Sequence, residues 1–253
     1  MNLNLKDKVV LVTGGATGLG KAICTILAEE GAKITINYRS KKEDAEALAT
    51  ELMQRFSVET LPIYADVSSE SQVQAMFEQI ESRLGPIYAA VNNAAYCANP
   101  ECVDLTLEDF RKCLDVNLQG TFLISRETVR RLIERQTPGK IVNISSQAAM
   151  RGSTNGKTVY DMTKAGICGF TRSLAIEVGK YGINVNAVLP GLMYTEIIAK
   201  QIDTDPEKYN KRSLLGRIAR PEEIAQVAVF LCSDRASYMT GASVDVSGGM
   251  ALH

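Results

Sequence analysis

Seven short apolar runs, rich in β-branched residues, constrain the fold of this chain more than any other feature. They are Lys8–Thr13, Lys33–Asn37, Leu61–Ala65, Ile87–Val91, Lys140–Ile144, Ile183–Leu189 and Ala242–Val246. Their hydrophobicity is continuous rather than alternating, as expected of strands buried on both faces of a parallel sheet. The segments between them carry helix-start chemistry. Ser40 with Glu43, Ser69 with Gln72 and Thr106 with Asp109 have capping-box spacing, and Pro221 precedes Glu222 and Glu223 as a first helical turn. Strands alternating with helices imply right-handed βαβ units and an α/β doubly wound sheet of about seven strands with helices on both faces. No repeat or linker interrupts the pattern, so the expectation is one domain over residues 1–253.

Composition removes several functions. The formal net charge of −1 offers no basic excess for nucleic acid or an anionic membrane. No apolar run of membrane-spanning length is present, and the polar Met1–Asp7 segment lacks a secretory signal, so a cytoplasmic location is expected. The six cysteines form no C-x-x-C pair and have no neighbouring histidine, which argues for reduced thiols and against a metal site. The single histidine is His253. A serine or cysteine nucleophile activated by imidazole is therefore not expected, and proton transfer falls to a carboxylate, a tyrosine or a lysine.

The glycine-rich stretch Thr13–Gly20 directly follows the first strand and opens the first helix. Gly14, Gly18 and Gly20 allow a sharp turn and close approach of backbone to a pyrophosphate, with Thr17 and Leu19 at the helix start. The second strand ends in Asn37-Tyr38-Arg39-Ser40-Lys41-Lys42, with three cations and no acid. An acid there would accept from the ribose 2′-OH of NAD, whereas an arginine suits a 2′-phosphate, so NADP(H) is the expected cofactor, with NAD(H) possible. Tyr160 and Lys164 stand one helical turn apart on one face, where an ammonium would favour the phenolate and lower the tyrosine pKa.

Taken in order and spacing, these motifs resemble the short-chain dehydrogenase/reductase family, in its single-domain Rossmann branch. The likeness runs nearly end to end through Thr13–Gly20, Asp66-Val67, Asn92-Asn93-Ala94, Asn117, Ser145-Ser146, Tyr160 to Lys164, Pro190-Gly191 with Thr195, and Ser247-Gly248-Gly249. It implies an oxidoreductase interconverting a secondary alcohol and a ketone. Tyr160 would be the acid-base, Ser146 would bond the substrate oxygen, Asn117 would hold a relay water, and Lys164 would bond the nicotinamide ribose. Gly14, Thr17, Gly18, Leu19, Gly20, Arg39, Ser40, Asp66, Val67, Asn92, Ala94, Pro190, Gly191 and Thr195 would contact the cofactor beside Tyr160 and Lys164.

Three departures stand out. Ala95 and Ala149 occupy positions where the family has glycine, and the step from Ser146 to Tyr160 is one residue longer, implying an insertion within Arg151–Thr158. A shifted register would bring Gln147, not Ser146, opposite the tyrosine. A lid over residues 192–215 would contribute Met193, Tyr194, Ile197 and Ile198, with Tyr96, Gln147 and Met150 opposite, giving a partly apolar pocket without a fixed charge partner. The resemblance covers 3-oxoacyl thioester reductases, glucose dehydrogenases and hydroxysteroid dehydrogenases, and suggests a homotetramer packed through the small residues Ala165, Gly166 and Gly169. A nucleotide-binding module without chemistry would not need Tyr160 and Lys164, and both are present.

Overall fold

The computed structural model describes residues 2–153 and 156–251, with only the backbone of Ile197. His253 and the Ile197 side chain lie outside the described residues, as does part of the expected insertion. The chain alternates strand and helix as the sequence pattern predicts. β1 (Val9–Val12), β2 (Lys33–Tyr38) and β3 (Thr60–Tyr64) alternate with α1 (Gly18–Glu29), α2 (Lys42–Phe56) and α3 (Glu70–Leu84). β4 (Ile87–Asn92) leads to α4 (Leu107–Leu114), a π-helical turn (Asp115–Gln119) and α5 (Gly120–Glu134). β5 (Gly139–Ile144) precedes the one-turn α6 (Ala148–Arg151) and the long α7 (Thr158–Val178). β6 (Ile183–Pro190), α8 (Glu196–Thr204), α9 (Pro206–Asn210), α10 (Pro221–Cys232) and β7 (Ser243–Val246) complete the order.

All strand pairs are parallel and form one sheet in the order β3-β2-β1-β4-β5-β6-β7. β1 has β2 on one side and β4 on the other, so the chain reverses direction across the sheet between them. Loops leaving the carboxyl ends of the strands at such a point diverge and open a crevice. The strands are buried because both faces are covered. α1, α2 and α10 pack over one apolar cluster containing Val10, Ile34, Val91 and Val142, and α3 and α5 over another containing Leu11, Ile63 and Ala90. No described helix is long and apolar enough to cross a membrane.

The caps are less regular than the spacing predicts. Thr106 Oγ1 accepts from the Asp109 amide at 3.1 Å, and Glu223 accepts from the Arg220 amide at 2.9 Å ahead of Pro221. Ser40 caps nothing, since α2 begins after Lys41, and Gln72 instead accepts from the Asp66 amide at 2.9 Å. Gln72 thus braces Asp66, which lines the crevice, and Ser40 lines the crevice itself.

A ladder of buried polar side chains crosses the centre of the sheet. Asn92 Nδ2 donates to Ser125 Oγ at 2.9 Å and to Asn143 Oδ1 at 2.8 Å, and Asn143 Nδ2 donates to Thr171 Oγ1 at 2.9 Å. It ties β4 and β5 to α5 below and α7 beside them. Buried amides are costly unless bonded, so removing one member strands its partners. Asn143→Ala should destabilise the fold by about 2–4 kcal/mol. Urea denaturation against wild type measures this; a loss below about 0.5 kcal/mol, the size of an ordinary surface change, would mean the ladder contributes little.

Candidate active site

The crevice begins at the turn after β1. Gly14 adopts φ +59°, a left-handed conformation that favours glycine. A Cβ on Gly20 would collide with the Gly14 carbonyl oxygen and lie 2.8 Å from Asn93 Nδ2. Thr17 begins α1 in an extended conformation without a side-chain cap bond, so it leaves the first-turn amides to another acceptor. Asn93 locks this turn to the end of β4: its Nδ2 donates to the Thr13 and Gly14 carbonyls at 2.9 and 3.0 Å. Thr13 Oγ1 in turn accepts from the Asn93 and Ala94 amides.

Gly14, Thr17, Gly18, Leu19, Gly20, Arg39, Ser40, Asp66, Val67, Ala94 and Thr195 line one cleft of roughly 390 Å³, together with Tyr96 and Met193. That is a ligand-sized volume. Hydrogen bonds from Ser68 and the nearby Arg39, 3.7 Å away, outweigh partial burial and hold the Asp66 carboxyl below the usual carboxylate range. The bare glycine backbone, the uncapped start of α1 and the Arg39 guanidinium fit the pyrophosphate and adenosine end of a dinucleotide.

Some expected contacts lie elsewhere. Asn92 is not in the cleft lining: its Nδ2 is spent on the polar ladder and its Oδ1 is buried without a partner, whereas its neighbour Asn93 lines the cleft. Pro190 and Gly191 are not in the cleft lining. The Pro190 carbonyl accepts from the Gln147 amide at 3.0 Å, and a Cβ on Gly191 would meet Ser247 at 2.7 Å. Tyr194 is exposed, its hydroxyl 3.1 Å from both Asp203 oxygens.

Tyr160, Ser146 and Lys164 converge where the end of β5 meets α7. Ser146, not Gln147, is the side chain that acts on the Tyr160 phenol. Its own hydroxyl also accepts from the Ala148 amide at 3.1 Å, which fixes the side chain. Gln147 is buried with its Oε1 unpartnered. The adjacent Ser145 is the residue that sequence reasoning left without a function. Its Oγ donates to the Lys164 carbonyl at 2.7 Å, while Lys164 Nζ donates to the Ile144 carbonyl at 2.8 Å. Two reciprocal bonds thus set the strand end against the helix. A doubled serine after a strand was the available signal, but nothing in one dimension says which of the two turns inward.

The electrostatics depart from expectation. Lys164 Nζ lies 5.4 Å from the Tyr160 ring centroid, yet the phenol pKa is raised rather than lowered. Burial dominates, Cys97 and Asp161 push the same way, and the Ser146 bond opposes them only in part. Burial also pulls the Lys164 ammonium down to about 8. The site therefore holds a neutral phenol ready to donate, beside a lysine that is charged only below mildly alkaline pH.

Asn117 sits in the π-helical turn with its amide engaged by protein. Oδ1 accepts from the Tyr96 amide at 2.8 Å, and Nδ2 donates to the Tyr96 carbonyl and Thr163 Oγ1, both at 2.9 Å. It clamps the Tyr96 wall of the cleft to α7, one residue before Lys164. No group of three or more metal-ligating side chains exists among the described residues.

Residues 14–251 match the family profile described as enoyl-(acyl carrier protein) reductase. The chain is 39% identical over 250 residues to 3-oxoacyl-(acyl-carrier-protein) reductase FabG of Aquifex aeolicus, covering 99% of this chain and 100% of that protein. It is 36% identical to L-rhamnose-1-dehydrogenase of Scheffersomyces stipitis, covering 98% of each. A short-chain type dehydrogenase/reductase from Mycobacterium marinum superposes with a TM-score of 0.93 at 30% identity, over 100% of this chain and 98% of that one. With this fold, this cleft and these relatives, the chain belongs to the short-chain dehydrogenase/reductase family of NAD(P)-dependent oxidoreductases acting on CH–OH groups.

Proposed function

We propose that the protein is an NADP(H)-preferring reductase of a carbonyl compound, with a 3-oxoacyl thioester as its leading substrate class. The observation that carries the reading is the Ser146 hydroxyl set near the Tyr160 phenol, with Lys164 Nζ 5.4 Å from the Tyr160 ring centroid. Two hydroxyls side by side can bond one substrate oxygen. That arrangement suits a ketone, whose oxygen accepts both, better than the carbon–carbon double bond of an enoyl substrate. The thioester is supported by the FabG relative, and a sugar substrate by the L-rhamnose-1-dehydrogenase relative.

The nicotinamide cofactor supplies the hydride, and the protein supplies position and a proton. Gly14, Gly18 and Gly20 admit the phosphates; Arg39 and Ser40 meet the adenosine ribose; Asp66, Val67 and Ala94 form the adenine-side wall. Thr195, in the cleft lining, would border the nicotinamide end, with Pro190 and Gly191 just outside that lining. Ser146 fixes the carbonyl oxygen, and Tyr160 gives it a proton as negative charge develops there. Lys164, charged at neutral pH, stabilises the resulting phenolate and bonds the ribose. Asn117 keeps the Tyr96 wall and α7 in register. A homotetramer goes with this reading: Met162, Ala165 and Gly166 are exposed along α7 beside the exposed Phe122 of α5.

Three outcomes test the proposal. Tyr160→Phe should lower kcat by about 10²- to 10⁴-fold while cofactor affinity stays close to wild type. Turnover near wild type in that variant overturns the mechanism. Arg39→Ala should weaken NADPH about 10- to 100-fold with NADH little affected, read by fluorescence titration of each cofactor. Equal losses would assign Arg39 a structural role with Asp66 instead.

The third is a pH profile. Lys164 keeps its ammonium below about 8 and loses it above, whereas Tyr160 stays protonated throughout that range. kcat/KM for NADPH in the reductive direction, which reports free-enzyme groups, should be flat at acidic pH and fall as pH rises through about 8. A profile that instead rises through that region would mean the reaction needs neutral Lys164.

A further inference from the structure

Among the described residues, two cations line the cofactor cleft, and both stand beside an acid. Lys41 Nζ lies 3.5 Å from Asp44, which is outside the lining, and Arg39 Nη1 lies 3.7 Å from Asp66 Oδ2, which is inside it. The second pair bears on the cofactor, because Arg39 is the residue placed to read a 2′-phosphate. The end of β2 carries no acid of its own. The fold supplies one from the neighbouring strand. Tyr38 pairs with Tyr64 across β2 and β3, and the Ala65 amide donates to the Tyr38 carbonyl at 3.1 Å, which brings Asp66 level with Arg39.

Asp66 is not free to turn away. Its Oδ1 accepts from the Ser68 amide at 2.9 Å and from the Ser68 hydroxyl at 2.6 Å, and its own amide donates to Gln72 Oε1 at 2.9 Å. These bonds leave Oδ2 to Arg39. Against partial burial, the Ser68 bonds and the guanidinium hold the carboxyl below the usual range, so it is an anion when a cofactor arrives. A separation of 3.7 Å exceeds the roughly 2.7–2.9 Å of a charge-assisted hydrogen bond, so the guanidinium fork keeps donors for a second anion. A 2′-phosphate on Arg39 then shares one cation with a fixed carboxylate, and the two anions repel each other. A ribose 2′-hydroxyl carries no charge and meets no such penalty. Both side chains are partly exposed, so water screens the pair and the effect is moderate.

We infer that Asp66 sets cofactor selectivity through Arg39: by holding part of the guanidinium charge, it limits the advantage of NADPH and keeps NADH usable. The inference deepens the NADP(H)-preferring reading and rests on it. Asp66 acts here as a positioning residue, apart from any contact of its own with the adenine.

Fluorescence titration of NADPH and of NADH, without substrate, provides the test. Asp66→Asn keeps the side-chain shape and an acceptor for Ser68. In that variant the ratio of the NADH Kd to the NADPH Kd should rise about 3- to 10-fold over wild type. Asp66→Ser has no amide to donate to a phosphate, and it should move the ratio the same way. Placed on Arg39→Ala, Asp66→Asn should leave the ratio within about two-fold, because the cation it competes for is gone. A ratio unchanged in both single variants, as when both cofactors weaken equally through a lost adenine contact, overturns the inference. A falling ratio overturns it too, since Asp66 would then aid the phosphate, and so does an equal rise with and without Arg39. None of these readings uses turnover, so each leaves the alcohol–ketone chemistry standing; a chain that binds neither cofactor sinks both.

Discussion

The active region depends on one buried constraint, the directional hydrogen bonds of two asparagine amides in the middle of a sheet covered on both faces. Asn92 and Asn143 lie on adjacent parallel strands where ordinary packing would place aliphatic side chains. Their hydrogen bonds reach outward to Ser125 on α5 and Thr171 on α7. An apolar contact in the same place would tolerate sliding, because hydrophobic association is non-directional. The amide bonds do not tolerate it. They define the height and rotation of α7 against β5, and this is the accuracy a proton donor needs to reach a substrate oxygen.

The cofactor end is built differently. Its shape comes from what side chains leave out: a turn that admits no Cβ at Gly20, and a helix whose first amides are not capped by Thr17. The polar work of holding the turn falls on Thr13 and Asn93, which bond each other's backbone across the gap between β1 and β4. This crevice therefore sits where two neighbouring strands send their loops apart and side chains bridge the strand ends.

Much of this was legible in one dimension. Unbroken runs such as Lys8–Thr13 and Ile183–Leu189 report burial on both faces, and burial on both faces is what a parallel sheet requires, so seven runs became seven strands. The glycine turn and Arg39 were legible because their chemistry is local: each sits at a strand end and needs no distant partner to be recognised, whereas Thr195 was read only through the family resemblance. What stayed hidden depends on contacts far apart in sequence. Asn92 and Asn93 are adjacent and chemically identical, and only the position of Asn143 and Thr13 decides which one turns to the sheet. Ser40 and Gln72 fit a helix cap by spacing, yet the crevice claims their neighbourhood. The Tyr160 shift runs opposite to the sequence expectation because sequence displays a nearby charge but not the loss of water, and here the loss of water is larger.

The reciprocal bonds between Lys164 and the end of β5 bear on how variants of this protein are to be read. Replacing Lys164 deletes a charge and, with it, the donor that holds the Ile144 carbonyl. Replacing Ser145 leaves every reacting group in place but releases the Lys164 backbone from the strand. The two substitutions loosen the same joint from opposite sides, so their energetic effects will not add, and neither can be assigned to chemistry or architecture alone. In this molecule the boundary between scaffold and catalyst runs through a single lysine.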